Sequence, residues 1–146
     1  MGESRVSHDI LLVDDDHELR SACTKALSAA GADVCEAADG QEALRTLHML
    51  PFDLVITEIF VPKVTGLQLL LELRRSFPGV ASIATSWISN REYLADAKGL
   101  GADRVICKPF EPDELVHAVR EIYETRARRR TLASRARTGS VLAPRR

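Results

Sequence analysis

At 146 residues, 45% hydrophobic and 28% charged, the chain suits one domain with a modest appendage and has an ordinary globular composition, not a fibrous or disordered one. No apolar run is long enough for a membrane span, "MGESRVSHD" lacks the apolar stretch of a signal peptide, and Val6 stands where a myristoylation pattern needs Ser or Thr. A cytoplasmic setting is therefore expected. The net charge of −1 hides an asymmetry: residues 126–146 hold eight Arg and no acid, leaving residues 1–125 with twelve bases against twenty-one acids, a balance of −9.

"DILLVDDD" is a short apolar run ending in acids, as expected of a central parallel strand covered on both faces. His17 to Ala30 then places Leu19, Ala22, Cys23, Ala26, Leu27 and Ala30 at helical spacing, and Gly31 stops the helix. "ADVCEA" reads as a second strand, and Asp39 caps a helix through Ala43, Leu44, Leu47 and Leu50 that ends at Pro51. "DLVIT" is a third strand. Thr65 caps a helix carrying Leu67, Leu70, Leu71 and Leu73, closed near Pro78. "VASIAT" is a weaker fourth strand, after which Ser89 and Glu92 have capping-box spacing ahead of Tyr93, Leu94 and Ala97, with Gly99 and Gly101 ending that helix. "DRVIC" is a fifth strand, and Pro112 suits the first turn of a last helix built on Leu115, Val116, Val119, Ile122 and Tyr123.

Five strand–helix pairs with short links imply a parallel sheet with helices on both faces. Right-handed crossovers leave few connections open, and the flavodoxin-like (βα)5 order 2-1-3-4-5 is the leading one at this length. The chain divides into an N-terminal extension (residues 1–7), a folded domain (8–125) and a basic tail (126–146). Few large apolar side chains occur in the tail, so the last helix is expected to continue a turn or two before order is lost. A solubilising extension, a docking segment for an acidic protein and weak nucleic-acid contact remain open for it. The last would be salt-dependent and non-specific, because no aromatics are interleaved for stacking.

Ligands of such a sheet bind at the carboxyl ends of the strands. There the first strand supplies Asp14, Asp15 and Asp16, the third Glu58, the fourth Thr85, Ser86 and Trp87, and the fifth Lys108, Pro109 and Phe110. Carboxylates from two adjacent strands form an all-oxygen site suited to Mg²⁺, while a hydroxyl and a lysine across from them suit phosphoryl oxygens. Asp16 is better read as a helix cap than as a ligand. Thr57, Thr85 and Asp53 read as strand residues. Cys23, Cys35 and Cys107 are odd in number and lack a partner at metal spacing, which leaves buried or half-buried thiols. His8, His17, His48 and His117 show no partner spacing either.

"ILLVDDD", "DGQEAL", "DLVIT", Pro62 and Gly66 of "VPKVTGLQLL", "LGAD" and "KPF", in that order, resemble the response-regulator receiver family over nearly all of residues 8–123. The resemblance implies a two-component signalling module, not an enzyme. It makes Asp14 and Asp15 the acidic pair that positions Mg²⁺, Asp15 more directly, with the backbone carbonyl of Phe60 as a further ligand. Ser86 corresponds to the switch hydroxyl, Lys108 to the signature lysine, and Lys108–Pro109 to a cis peptide. Glu58 stands at the position of the phosphate-accepting aspartate.

Three residues depart from the family pattern. Glu58 is longer than aspartate by a methylene, Trp87 replaces a small residue that admits the phosphodonor, and Val105 replaces an aromatic switch residue. Together they imply a receiver that works independently of phosphorylation, through protein–protein contact on the final strand–helix surface, with Mg²⁺ binding weakened or lost. Glu58 is expected to supply fixed charge and to pair with Lys108. The alternative is a conventional receiver phosphorylated by a histidine kinase or phosphotransfer protein on another acid such as Asp14 or Asp15. The partner is then a histidine kinase, a phosphotransfer protein or a downstream regulator, and a homodimer is possible. Nucleic acid is expected only through the Arg-rich tail, since no helix-turn-helix follows the receiver, and no membrane partner is expected. The acids of the first strand are also similar to the DxD of haloacid-dehalogenase phosphatases, but Glu18 stands where that family has Thr or Val and the chain is too short for its cap.

Overall fold

The computed structural model describes residues 9–142. The expected N-terminal extension, His8 and residues 143–146 lie outside the described residues. Apolar runs with short links become five strands, β1 (Asp9–Val13), β2 (Asp33–Ala37), β3 (Leu54–Glu58), β4 (Ala81–Trp87) and β5 (Arg104–Lys108). Between and after them lie α1 (His17–Ala29), α2 (Gly40–Met49), α3 (Gly66–Ser76), α4 (Arg91–Gly99, preceded by a 3₁₀ turn, Ile88–Asn90) and α5 (Pro112–Leu142). All strand pairs are parallel, in the order β2-β1-β3-β4-β5, the flavodoxin-like arrangement expected from the pattern.

Alternation along each strand divides the core between two faces. Leu11, Val13 and Val55 point to one face, where Ala43 and Leu47 of α2, Leu69, Leu70 and Leu73 of α3, and Leu94 and Ala97 of α4 cover them. Ile10, Leu12, Leu54 and Ile56 point to the other, under Cys23 and Leu27 of α1 and Leu115, Val119 and Ile122 of α5. β3 has no exposed residue, as befits a central strand covered on both sides.

Local chemistry sets most helix starts. The Asp39 side chain accepts from the Glu42 N–H, Asp16 accepts from Leu19 N–H, and Thr65 and Gln68 cap each other's backbone reciprocally. The Asp39 carboxyl lies below its usual range because of that Glu42 N–H, with Lys63 adding to it. Gly31 (φ 102°) and Gly101 (φ 105°) turn the chain after α1 and α4 in a conformation that disfavours side chains.

Several expectations need correction. No side chain caps α4: Asn90 precedes its first residue and the 3₁₀ turn displaces Ser89 from the cap position. Leu50 is 49% exposed because α2 ends one residue earlier and the chain becomes extended there. The largest difference is the tail, which is helical through Leu142. Arg, Ala and Leu are strong helix formers, and the packed first half of α5 has already met the cost of nucleation. Among the described residues no helix is long and apolar enough to cross a membrane.

Candidate functional site

The carboxyl ends of β1, β3, β4 and β5 lie side by side, and three charged side chains converge there under cover. Asp14, Glu58 and Lys108 are each about 95% buried. The Lys108 ammonium donates to Asp14 Oδ2 at 2.8 Å and approaches Glu58 Oε2 at 2.7 Å. The second contact is an ion pair whose angle falls outside hydrogen bonding, so Glu58 Oε2 has no hydrogen bond there. Glu58 Oε1 accepts the Phe60 N–H at 3.2 Å, and Asp14 Oδ1 accepts the Asp16 N–H at 2.9 Å. Arg20, itself paired with Glu36, donates to the Asp14 carbonyl at 2.7 Å and ties α1 to the end of β1.

Burial alone pulls the Lys108 ammonium down. The hydrogen bond to Asp14, the Glu58 contact and the charges of both carboxylates outweigh it and hold the lysine above its ordinary range. Burial pushes the Asp14 carboxyl up, and the ammonium and the Asp16 N–H reverse this only in part. The lysine therefore remains protonated at neutral pH and neutralises carboxylates whose charge would otherwise be uncompensated in a dry site.

Backbone packing explains why the sequence carries glycine at position 66. Its N–H donates to the Ile59 carbonyl at 2.7 Å, and a Cβ there would collide with the Glu58 carbonyl. The close approach holds the α3 N-terminus against the end of β3. The Lys108–Pro109 peptide is cis.

A cleft of about 330 Å³ opens above the triad, lined by Asp15, Asp16, Glu58, Phe60, Trp87, Asn90 and Lys108. Asp15 is exposed at its rim, as is Trp87, at 52%. Phe60 leans edge-on against Tyr93, with ring centres 4.9 Å apart. Ser86 is fully buried but does not line the cleft, and its hydroxyl accepts from Asn90 Nδ2 at 3.0 Å. Val105 pairs with Ala84 in the sheet and packs against the core. Asn90 and Arg20 were not singled out from sequence. Asn90 could have been found as a polar residue four positions after Ser86, but nothing in the sequence points Arg20 at a strand-end carbonyl. A larger groove of about 450 Å³ lies at the opposite edge, where two of its charged groups, Asp103 and Arg126, pair with each other at 3.7 Å, and it gathers no comparable buried cluster.

The Mg²⁺ that the resemblance implies would draw on Asp14, Asp15, Glu58 and the Phe60 carbonyl. Among the described residues no three Asp, Glu, His or Cys side chains gather as metal ligands. An ammonium fills the space between Asp14 and Glu58, and Asp15 stands apart at the rim. So arranged, these residues do not fit a dication bridging the two strands.

Comparison with known proteins gives one family and one fold. The model of the response regulator receiver domain matches residues 10–120. The chain is 36% identical over 115 residues to a probable transcriptional regulator, ycf27, of Porphyridium aerugineum, a match covering 77% of this chain and 47% of that protein. Among solved structures, NtrX from Brucella abortus superposes with a TM-score of 0.81 at 29% identity, over 88% of this chain and 29% of that one. The chemotaxis response regulator CheY4 of Vibrio cholerae gives 0.74 at 27% identity, over 80% and 98%. The chain spans about half the length of the curated transcriptional regulators it matches.

Proposed function

Because the chain belongs to the response regulator receiver domain family, the signalling modules of two-component systems, we propose that it is an atypical receiver acting independently of phosphorylation through protein–protein contacts. One observation carries this reading: the Lys108 ammonium sits between Asp14 and Glu58 at 2.8 and 2.7 Å. On this reading Glu58 occupies the acceptor position of the family and supplies there a permanent negative charge. Its extra methylene moves the carboxylate by about 1.5 Å, a displacement that near-attack geometry does not tolerate. Trp87 at the cleft rim restricts a phosphodonor, Val105 lacks the reach of an aromatic lever, and Ser86 is engaged by Asn90 and does not face the cleft. Mg²⁺ is dispensable to such a module. Its partner is a histidine kinase, a phosphotransfer protein or a downstream regulator in the cytoplasm, meeting the β5–α5 surface where Glu111, Asp113, Glu114 and His117 are exposed.

Phos-tag electrophoresis after incubation with acetyl phosphate, or with a partner kinase, tests this. No shifted band is expected. Stoichiometric modification that disappears in Glu58→Gln would overturn the proposal. A second reading, a conventional receiver, is favoured by one feature: Asp15 is exposed on the same cleft as Glu58 and Lys108. Modification that survives Glu58→Gln but is lost in Asp15→Asn would establish it.

A further inference from the structure

The signalling site leaves the charge asymmetry of the chain unexplained. α5 starts at the carboxyl edge of the sheet, beside Lys108, and reaches the opposite edge at Arg126, which donates to the Gly79 carbonyl at 2.8 Å and pairs with Asp103. From there to Leu142 it runs on for about 24 Å. Every residue from 127 to 139 is exposed, so nothing in its own domain covers this part. Arg128, Arg129, Arg130, Arg135 and Arg137 make no hydrogen bond or ion pair among the described residues. Five guanidinium charges within ten residues thus lack a counter-charge, so the bare helix gains from an acidic surface.

The matching surface exists in the same chain, where the helix cannot reach it. Residues 1–125 carry −9, and among their exposed acids Asp15, Asp16, Glu18, Glu111, Asp113 and Glu114 begin α1 and α5, two helices packed side by side at the carboxyl edge. A continuous α5 carries the Arg segment away from that edge, so charge is separated along the molecule. We propose that the Arg-rich half of α5 docks on the acidic domain of a second copy of this chain. A nucleic acid is a poorer occupant, because the −9 domain repels a polyanion and residues 126–146 contain no aromatic side chain to stack on bases. The contact is heterologous, helix to domain, so copies join in concentration-dependent series instead of closing as one symmetric pair. It is independent of the chemistry at Glu58.

Sedimentation equilibrium of the full chain tests it, at about 0.03 M and about 0.5 M salt, where screening lengths differ severalfold. Self-association is expected at low salt and should weaken at least about tenfold at high salt. Two full-length variants separate the surfaces, and circular dichroism checks that each is folded. One replaces the five unpaired Arg by Gln, the other Glu18, Glu111, Asp113 and Glu114 by Gln or Asn. Each alone should remain monomeric, and a mixture should form a 1:1 complex, because each retains the surface the other lacks. A monomer at low salt, or an Arg-neutral variant that associates as tightly as the parent, overturns the proposal. So does a chain that stays monomeric yet binds a duplex oligonucleotide with a steep salt dependence.

Discussion

Charge is arranged in opposite ways at the two ends of this molecule. At the carboxyl edge of the sheet, Asp14, Glu58 and Lys108 are about 95% buried and compensate each other within 2.8 Å. On the far half of α5, five guanidinium groups stand in water without a partner among the described residues. Burial compels pairing, since an isolated ion in a low-dielectric interior costs several kcal/mol. Exposure removes that compulsion and leaves the charge available to another molecule. The first arrangement makes charge part of the fold, and the second makes it an address.

Breaking the buried end should have the largest effect. Lys108→Met leaves two carboxylates uncompensated and should lower stability by about 3–5 kcal/mol in urea denaturation. Glu58→Gln keeps the Asp14–Lys108 pair and should cost less, about 1–3 kcal/mol, by the same measurement. The pH profile sharpens the contrast. Lys108 is held above its ordinary 10.5, so its pairing stabilises the fold fully below that pH and is lost as pH rises through the elevated native value. The Cys23 thiol, pushed up to about 11 by burial, favours its neutral form in the fold and adds to the alkaline loss above its ordinary 9.0. The gap between wild type and Lys108→Met should therefore be flat at neutral pH and close in strong alkali.

Smaller effects follow elsewhere. Trp87, the single tryptophan, lines the cleft, and its emission should not respond to millimolar Mg²⁺ while Lys108 holds the carboxylates. A saturable change that disappears in Asp15→Asn would show that the acids still take a dication. At the exposed end, the same five Arg→Gln replacements should change monomer stability by no more than about 0.5 kcal/mol in thermal denaturation. A larger loss would mean that the tail supports its own domain and would erase the contrast drawn above.

Much of this was legible in the residues. "DILLV" and "DLVIT" are apolar runs that only a doubly covered strand accommodates, and Asp39 and Thr65 announce helix starts through chemistry within three residues. The convergence of Asp14, Glu58 and Lys108 followed from strand order, because parallel strands bring their carboxyl ends to one edge. Features set by loop conformation were harder to read, although their partners lie close in sequence. The Arg20 bond to the Asp14 carbonyl, the hold of Asn90 on Ser86 and the 3₁₀ turn before α4 depend on how loops settle after the sheet has formed.

The tail marks the boundary most clearly. Its composition alone established a basic segment attached to an acidic domain, because net charge needs no coordinates. Low hydrophobicity suggested a loss of order, since a segment that buries little cannot offset its backbone entropy. The tertiary structure decided otherwise: Leu115, Val116, Val119 and Ile122 anchor the helix, and residues 126–142 continue it. Helix extension adds one backbone hydrogen bond per residue to an existing nucleus; the apolar spacing predicted that nucleus, and only the packed fold showed how far the helix runs on from it.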